Sequence, residues 1–242
     1  MAEHKVGTRE EWSAARKELL EREQQLNNLD EEVAKEREEL PWVRVEKEYI
    51  FDTDEGKKSL AELFDGRSQL LIYHLMFGPT YEAACPGCTA LADGFDGVLP
   101  HLNARDVTLI AISRASIEKL NAYRKRLGWK FPYVSSYESD FNFDFDGSAT
   151  EKQMASPEMA KAVEEADDWL KGWADNVGTD LVHGMAENPS WNVFKLEDGV
   201  VYRTYYRTAP DRFMLSAYYE LMLDQVPAGR ADDFPLKRRD EY

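Results

Sequence analysis

Two apolar segments constrain the fold of this chain more than any other feature. Residues 69–77 read QLLIYHLMF, and residues 107–113 read VTLIAIS. Runs that stay apolar at successive positions are typical of strands buried on both faces, because a strand with one wet face alternates with polar residues. A segment with helical apolar spacing follows each of them. Strands that alternate with helices predict an α/β domain with a mostly parallel sheet.

The chain begins with a long predicted helix. Thr8 and Glu11 have the spacing of a capping box, and apolar residues recur in a heptad pattern over residues 8–40. Charged residues interrupt this apolar stripe, so we expect the helix to pack against its own domain or a partner rather than form a long coiled coil. Residues 1–41 are therefore predicted to be a helical extension.

The second half of the chain adds an insertion and a hairpin to the domain. Residues 147–187 include a stretch rich in Glu and Ala that predicts one helix inside an insertion. Two alternating runs flank Asp198 and Gly199, which indicates a β-hairpin. The other predicted elements are a strand at 42–51, an amphipathic helix at 211–226 capped by Asp211, one domain spanning 42–227, and a loose polar tail at 228–242.

Composition and charge exclude several classes of protein. The chain has 242 residues, 43% of them hydrophobic, as is ordinary for a folded globular protein. A formal net charge of −16 argues against a nucleic-acid partner, because such binding needs clustered Lys and Arg. The longest apolar run is shorter than the roughly 20 residues of a membrane helix, and the N-terminus shows no apolar signal segment. We therefore expect a cytoplasmic protein with no membrane contact.

The only two cysteines, Cys85 and Cys88, form a C-P-G-C sequence directly after the first buried strand and its loop. Together with His101 they match three ligands of a zinc finger, but the fourth ligand is missing, and structural zinc needs four. Residues 142–147 imitate the start of a calcium loop, yet its twelfth position holds Gln153, which cannot give the bidentate carboxylate. We therefore expect no metal and no other cofactor.

The position of the pair favours redox chemistry. A helix that begins at Cys85 points its free amides and the positive end of its dipole at the sulfur, which stabilises a thiolate. Pro86 suits the first helical turn, where its missing N–H costs nothing. Cys88 lies one turn further on the same face, where it can displace a mixed disulfide. The alternative is a pair of thiols that only pack in the core.

The layout of the chain resembles a bacterial thioredoxin-like family known as domain of unknown function 899. The resemblance rests on the leading helix, on LPWV and the strand after it, on LAELFDGRSQLLIYHLMFGP, on the C-P-x-C pair and on VTLIAISRASIEKLNAYRKRLGW. It covers residues 10–146 closely and resumes near 190–225. It implies a thioredoxin-like α/β fold, with a mixed central sheet flanked by helices, a long N-terminal helix and a helical insertion.

The middle of the chain is also similar to peroxiredoxins, with one difference. Their signature places Thr or Ser three residues before the reactive cysteine, whereas Glu82 stands there in this chain. The thioredoxin-like resemblance further implies that Pro189 is a cis-proline opposite the dithiol and contacts the substrate. Thr80 and Tyr81, on the loop before Cys85, are candidates for shaping substrate access or are ordinary turn residues.

These observations predict a thiol–disulfide oxidoreductase in which Cys85 attacks and Cys88 resolves. Its partner would be a protein or small-molecule disulfide. Two alternatives remain open: a peroxide reductase of the peroxiredoxin kind, and a non-catalytic scaffold or redox sensor that forms a homodimer through its first helix. His74, inside the first apolar strand, is predicted to be a buried, hydrogen-bonded core residue rather than a catalytic base.

Overall fold

The capping box predicted at the start of the chain is confirmed. In the computed structural model, which describes residues 5–208, 222–227 and 237–242, helix α1 spans Arg9–Glu38. The Thr8 amide donates to Glu11 Oε2 at 2.8 Å, and the Glu11 amide donates to Thr8 Oγ1 at 3.2 Å. The chain has two compact units, Met1–Pro41 and Trp42–Tyr242.

The second unit is built on one eight-stranded sheet. Its strands are β1 (Val43–Arg44), β2 (Ile50–Thr53), β3 (Gly56–Ser59), β4 (Gln69–His74), β5 (Val107–Ser113), β6 (Tyr133–Ser135), β7 (Ser190–Glu197) and β8 (Val200–Thr208). Their order across the sheet is β1-β8-β7-β4-β5-β6-β2-β3. Strands β4, β5 and β6 run parallel, whereas the other neighbouring pairs of the described strands are antiparallel. The sheet is therefore mixed, and the expectation of a mostly parallel sheet from strand order was wrong.

The single strand predicted at 42–51 is two strands in opposite halves of the sheet. β1 is an edge strand and pairs with β8 through Val43 and Arg203, whereas β2 lies between β3 and β6 and pairs with β6 through Asp52 and Ser135. The residues between them cross from one half of the sheet to the other. β3 follows β2 directly in the chain and closes a hairpin with it. Alternation in sequence predicted extended backbone here, but it carries no information on which neighbour each strand pairs with.

The predicted helical insertion is present, but it is made of four short helices rather than one. Each begins at a capping residue whose side chain accepts a hydrogen bond from the amide three residues on: Thr150, Ser156, Asp167 and Asp180. Each of these side chains offers the backbone a local helix start, so the stretch divides. These four helices are α6 (Glu151–Met154), α7 (Pro157–Glu164), α8 (Asp168–Val177) and α9 (Leu181–Met185); before them in the chain, after α1, come α2 (Pro86–Ala92), α3 (Phe95–Asn103), α4 (Ile117–Leu127) and α5 (Phe141–Asp144).

Helices and loops cover both faces of the sheet. On one face Tyr73, Leu109 and Trp191 pack with Cys88 and the helices around it. On the other face Ile72, Ile110 and Phe194 pack with residues such as Phe51, Phe64 and Phe141. Both apolar runs named above are thus buried on both sides, as predicted. The central strand β4, with parallel β5 on one side and the antiparallel β7–β8 hairpin on the other, confirms the thioredoxin-like α/β fold.

The end of the chain differs from the loose tail predicted for residues 228–242. Its described part packs against the domain: Arg238 is buried, and Arg126 on α4 forms ion pairs with Asp240 and Glu241 at 2.6 and 2.8 Å. The helix predicted at 211–226 lies mostly outside the described residues, and so does its capping residue Asp211. No helix of the described part of the chain is long and apolar enough to cross a membrane.

His74 is a buried core residue, as predicted. Its ring stacks on Phe141 with centroids 5.6 Å apart, and Asn192 Nδ2 donates to its Nε2 at 3.2 Å. Burial, with a smaller effect of Arg203, lowers the pKa of His74 to about 3, so the ring is neutral. Gly147 lies directly against it. A Cβ at this position would overlap Nδ1 and come within 2.8 Å of Cε1 and 3.0 Å of Cγ.

We expect Gly147→Ala to lower the free energy of unfolding by about 2 kcal/mol, because the packed imidazole cannot move away from the added methyl group. Gly97→Ala is the matched control. Gly97 lies in α3, where an added Cβ meets nothing within 4 Å, and alanine there is expected to stabilise the helix by up to about 1 kcal/mol. Urea unfolding of both variants measures the difference. Equal stabilities for the two would contradict the steric reading.

Candidate active site

Cys85 occupies the junction between a core strand and a helix. It is the N-cap residue of α2, and Pro86 fills the first helical position, as predicted. Its amide donates to the Met76 carbonyl just beyond β4 at 3.0 Å, which anchors the helix start to the centre of the sheet. Cys85 is half-buried, whereas Cys88 is only 4% exposed. The structure thus brings both cysteines together, with Cys85 partly exposed and Cys88 inside.

The surroundings of Cys85 stabilise a thiolate. The Cys88 thiol hydrogen-bonds to its sulfur and is the largest cause that lowers the pKa of Cys85 to about 6. Burial opposes this effect, while the amides of Cys88 and Gly87 and the indole of Trp173 add to it. The Trp173 Nε1–H donates to Cys85 Sγ at 3.4 Å. Hydrogen bonds to the charged form favour it, so a substantial fraction of Cys85 is ionised at neutral pH.

Cys88 has the opposite character. Its hydrogen bond to Cys85, followed by burial, raises its pKa well above the ordinary value, although a hydrogen bond with Tyr73 lowers it somewhat. When the pair holds a single proton, that proton therefore stays on Cys88, and the sulfur of Cys85 carries the negative charge. A thiolate on a partly exposed cysteine beside a protonated, buried thiol is the arrangement that a two-step dithiol reaction requires.

Trp173 is a site residue that sequence reasoning missed. It lies on α8 in the insertion, 88 positions from the sulfur that it contacts. The loop before the cysteines is tied to the same helix, because the amides of Glu82 and Ala83 donate to the Val177 carbonyl at 2.9 and 3.2 Å. The insertion thus forms one wall of the site. No local sequence pattern indicates such a long-range pairing.

The two loop residues singled out in the sequence differ in placement. Thr80 is exposed, and its hydroxyl hydrogen-bonds to that of Thr179 at 2.7 Å. Tyr81 has no exposed surface: its hydroxyl donates to the Gly184 carbonyl at 2.8 Å, and its ring packs edge-on against Trp173. Tyr81 therefore shapes the loop from inside rather than presenting its ring to a substrate. A role of Thr80 in substrate binding stays a prediction.

Pro189 stands directly before β7, whose first residue, Ser190, pairs with His74 at the end of β4. Pro189 therefore lies at the end of the sheet where β4 ends and the chain continues toward the cysteines. Its carbonyl accepts a hydrogen bond from Thr208 Oγ1 at 3.3 Å. The cis peptide bond and the substrate contact implied by the resemblance stay predictions.

A second polar cluster lies near this loop. Gly78, Pro79 and Thr80 line a cavity of about 530 Å³ together with Arg114 and Glu187. The Glu187 side chain is only 3% exposed, lies 3.5 Å from Arg114 Nη1, and accepts a hydrogen bond from Ser148 Oγ at 2.7 Å. Burial raises the pKa of Glu187 to about 7, although Ser148 and Arg114 oppose the rise. Among the described residues, no group of three or more His, Cys, Asp and Glu side chains is arranged to hold a metal ion.

The fold and the dithiol at the start of α2 define a thioredoxin-like protein. Within that class the chain belongs to the family described as "Bacterial protein of unknown function (DUF899)", whose model matches residues 1–242. No curated protein matches the chain.

Solved structures with a similar arrangement include two peroxiredoxin-type proteins. Peroxidoxin BcpB from Mycobacterium tuberculosis is 13% identical, with a TM-score of 0.47, over 79% of this chain and 97% of that chain. A mutant of PrxQ from Xylella fastidiosa is 14% identical, with a TM-score of 0.45, over 73% of this chain and 86% of that chain. A hypothetical protein from Sinorhizobium meliloti is 14% identical, with a TM-score of 0.36, over 76% of this chain and 81% of that chain.

Proposed function

We propose that this protein is a thiol–disulfide oxidoreductase, in which Cys85 attacks a disulfide substrate and Cys88 resolves the product. The observation that carries this proposal is the unequal pair of sulfurs: Cys85 is half-exposed at the start of a helix with its pKa lowered to about 6, and Cys88 is buried beside it with its pKa raised. A pair that only packed in the core would need neither the exposed sulfur nor the donors around it.

The reaction follows from this asymmetry in two steps. The Cys85 thiolate attacks one sulfur of the substrate, a Cys85–substrate disulfide forms, and the other substrate sulfur leaves as a thiolate. That first leaving group takes up a proton from solvent. Cys88 then releases its proton to solvent and attacks the Cys85 sulfur. The Cys85–substrate bond breaks, a Cys85–Cys88 disulfide forms, and the second substrate thiolate leaves and takes up a proton from solvent. Two electrons pass from the dithiol to the substrate, and an external thiol reductant must return them for another turnover.

The wall around Cys85 supports the same assignment. Trp173 donates a hydrogen bond to the sulfur while its ring covers one side of it, so the thiolate is stabilised without being enclosed. We propose that the disulfide approaches the half-exposed side of Cys85, between Thr80 on the loop and Pro189 at the start of β7. The substrate partner is thus a protein or small-molecule disulfide, rather than a nucleic acid or a membrane.

The proposal is tested on the reduced wild-type protein by two measurements. The rate of iodoacetamide alkylation against pH gives the pKa of Cys85, which is expected near 6 rather than at the free-thiol value of about 8.5. Reduction of insulin disulfides with dithiothreitol as electron source is then compared with consumption of hydrogen peroxide. We expect catalysed insulin reduction and little peroxide consumption.

Each other outcome points to a named alternative. Fast peroxide consumption without disulfide reduction would contradict the proposal and favour a peroxide reductase, in which the Cys85 thiolate becomes a sulfenic acid that Cys88 condenses with to give a disulfide and water. An alkylation midpoint near the free-thiol value, with neither activity, would contradict it in favour of a scaffold or a redox sensor.

A further inference from the structure

The described end of the chain, Lys237–Tyr242, places a buried cation under the active-site loop. Arg238 is 4% exposed. Its Nε and Nη2 atoms both donate to the Ala84 carbonyl, at 3.1 and 2.8 Å, and Nη2 also donates to the Asn176 carbonyl at 3.2 Å. Ala84 directly precedes Cys85, and Asn176 lies in the helix that carries Trp173. One guanidinium therefore joins the backbone before the thiolate to the wall that covers it.

One ion pair of Arg238 and three ion pairs of its neighbours hold this end of the chain in position. Its Nη1 lies 3.1 Å from Glu241, and Glu241 and Asp240 are both bound by Arg126 on α4. Arg239 lies 3.6 Å from Asp93, at the end of α2. A charge in the interior is tolerated only when it is paired and its donors are satisfied. The surrounding carboxylate and carbonyls meet that condition, so this end of the chain has a fixed place beside the site.

We propose that Arg238 is a positioning residue for the Cys85 thiolate. By fixing the Ala84 carbonyl, it sets the orientation of the peptide that leads into the N-cap, so that the sulfur faces the amides of α2. By holding Asn176, it keeps the indole of Trp173 within reach of the same sulfur. The planar fork of arginine suits this role because two of its N–H groups meet one carbonyl at once, which an ammonium cannot reproduce.

Within the described residues, four groups face the sulfur from the surrounding elements. Cys88 faces it from α2, Tyr73 from β4 and Tyr81 from the loop, and all three are buried. Trp173, which does not titrate, faces it from α8. Arg238 acts on this group through Ala84 and Asn176. The catalytic meaning of the inference rests on the proposed function, but the thiolate can be measured without any turnover.

The test compares Arg238→Gln and Arg238→Lys with Lys237→Gln, a matched control at the exposed neighbouring position. The pH dependence of Cys85 alkylation is measured on full-length reduced protein, with circular dichroism as the check on folding. We expect Arg238→Gln to raise the alkylation midpoint by about one pH unit and to slow alkylation at pH 6 about fivefold. Arg238→Lys should fall between this variant and wild type, and Lys237→Gln should match wild type.

A folded Arg238→Gln protein with the wild-type midpoint would overturn the inference. If that variant does not fold, Glu241→Gln, which keeps Arg238 but removes its ion-pair partner, should shift the midpoint in the same direction by a smaller amount; an unchanged midpoint would again overturn it. The proposed function fails separately, if wild type reduces no disulfides although these midpoint shifts are seen.

Discussion

Replacing Cys85 with serine is expected to lower the rate of disulfide reduction about 10³-fold or more, because a serine hydroxyl is not ionised near neutral pH and cannot form the mixed disulfide. Cys88 cannot take over the attack, since it is buried, and burial by itself keeps the pKa of its thiol raised after Cys85 is removed. Replacing Cys88 with serine leaves the accessible sulfur in place. This variant should carry out the first attack and then stop.

The two variants are matched controls for each other, since each loses one sulfur from the same turn of α2. Intact-mass spectrometry after incubation with excess glutathione disulfide separates them. We expect one glutathione adduct on Cys88→Ser, none on Cys85→Ser, and a loss of two hydrogens without adduct on wild type. An adduct on Cys85→Ser, or turnover by it in the insulin assay, would reverse the assigned roles.

The centre of the fold and the position of Cys85 at a helix start could be predicted from short-range patterns. Residues 69–77 and 107–113 are apolar on both faces, and this property alone identifies β4 and β5 as interior strands. Cys85 follows the first of them and precedes Pro86, which is a favoured first residue of a helix. A strand followed by a helix start needs no tertiary information. The position of the thiolate is therefore encoded within about twenty residues of sequence.

The contacts that Trp173 and Arg238 make at the site could not be predicted from short-range patterns. Trp173 contacts Cys85 across 88 positions, and Arg238 contacts Ala84 across 154. Arg238 binds a backbone carbonyl. Because every residue type has one, the sequence does not indicate which residue is its partner. The surrounding segment is polar, and polarity alone predicts a solvated tail. Glu241, three positions away, compensates the buried charge of Arg238, and only the fold brings Arg126 to bind Glu241 as well.

The division of the insertion shows a different limit. Ser156 before Pro157, Asp167 and Asp180 are residues that favour helix starts, and Gly178 ends α8 with a positive φ of 69°. These signals are local and were present in the sequence. The Glu- and Ala-rich composition of the stretch favours helix throughout, and a prediction based on composition gives one helix in place of four. The four-helix arrangement matters because it brings Trp173 and Val177 to the cysteine loop.

Glu187 is expected to make the protein less stable as the pH rises, by about 3 kcal/mol in total. Burial raises its pKa from the ordinary value of 4.5 to about 7. Between these two values the folded state holds a proton that the unfolded state has released. Stability therefore falls as the pH rises through this window, and the full penalty of the buried carboxylate is present above pH 7. Arg114, at 3.5 Å, offsets only part of that penalty.

The measurement is urea unfolding at several values between pH 4.5 and 8 for wild type and Glu187→Gln. The amide keeps an oxygen that accepts from Ser148 Oγ but carries no ionisable group, so the variant should lack this component of the pH dependence and gain stability relative to wild type as the pH rises. Glu158→Gln, which removes one negative charge from an exposed position on α7, controls for net charge. If the free energies of unfolding of wild type and Glu187→Gln depend on pH in parallel, the carboxyl group has the same pKa in the folded and unfolded chains. That result would contradict a pKa raised by burial.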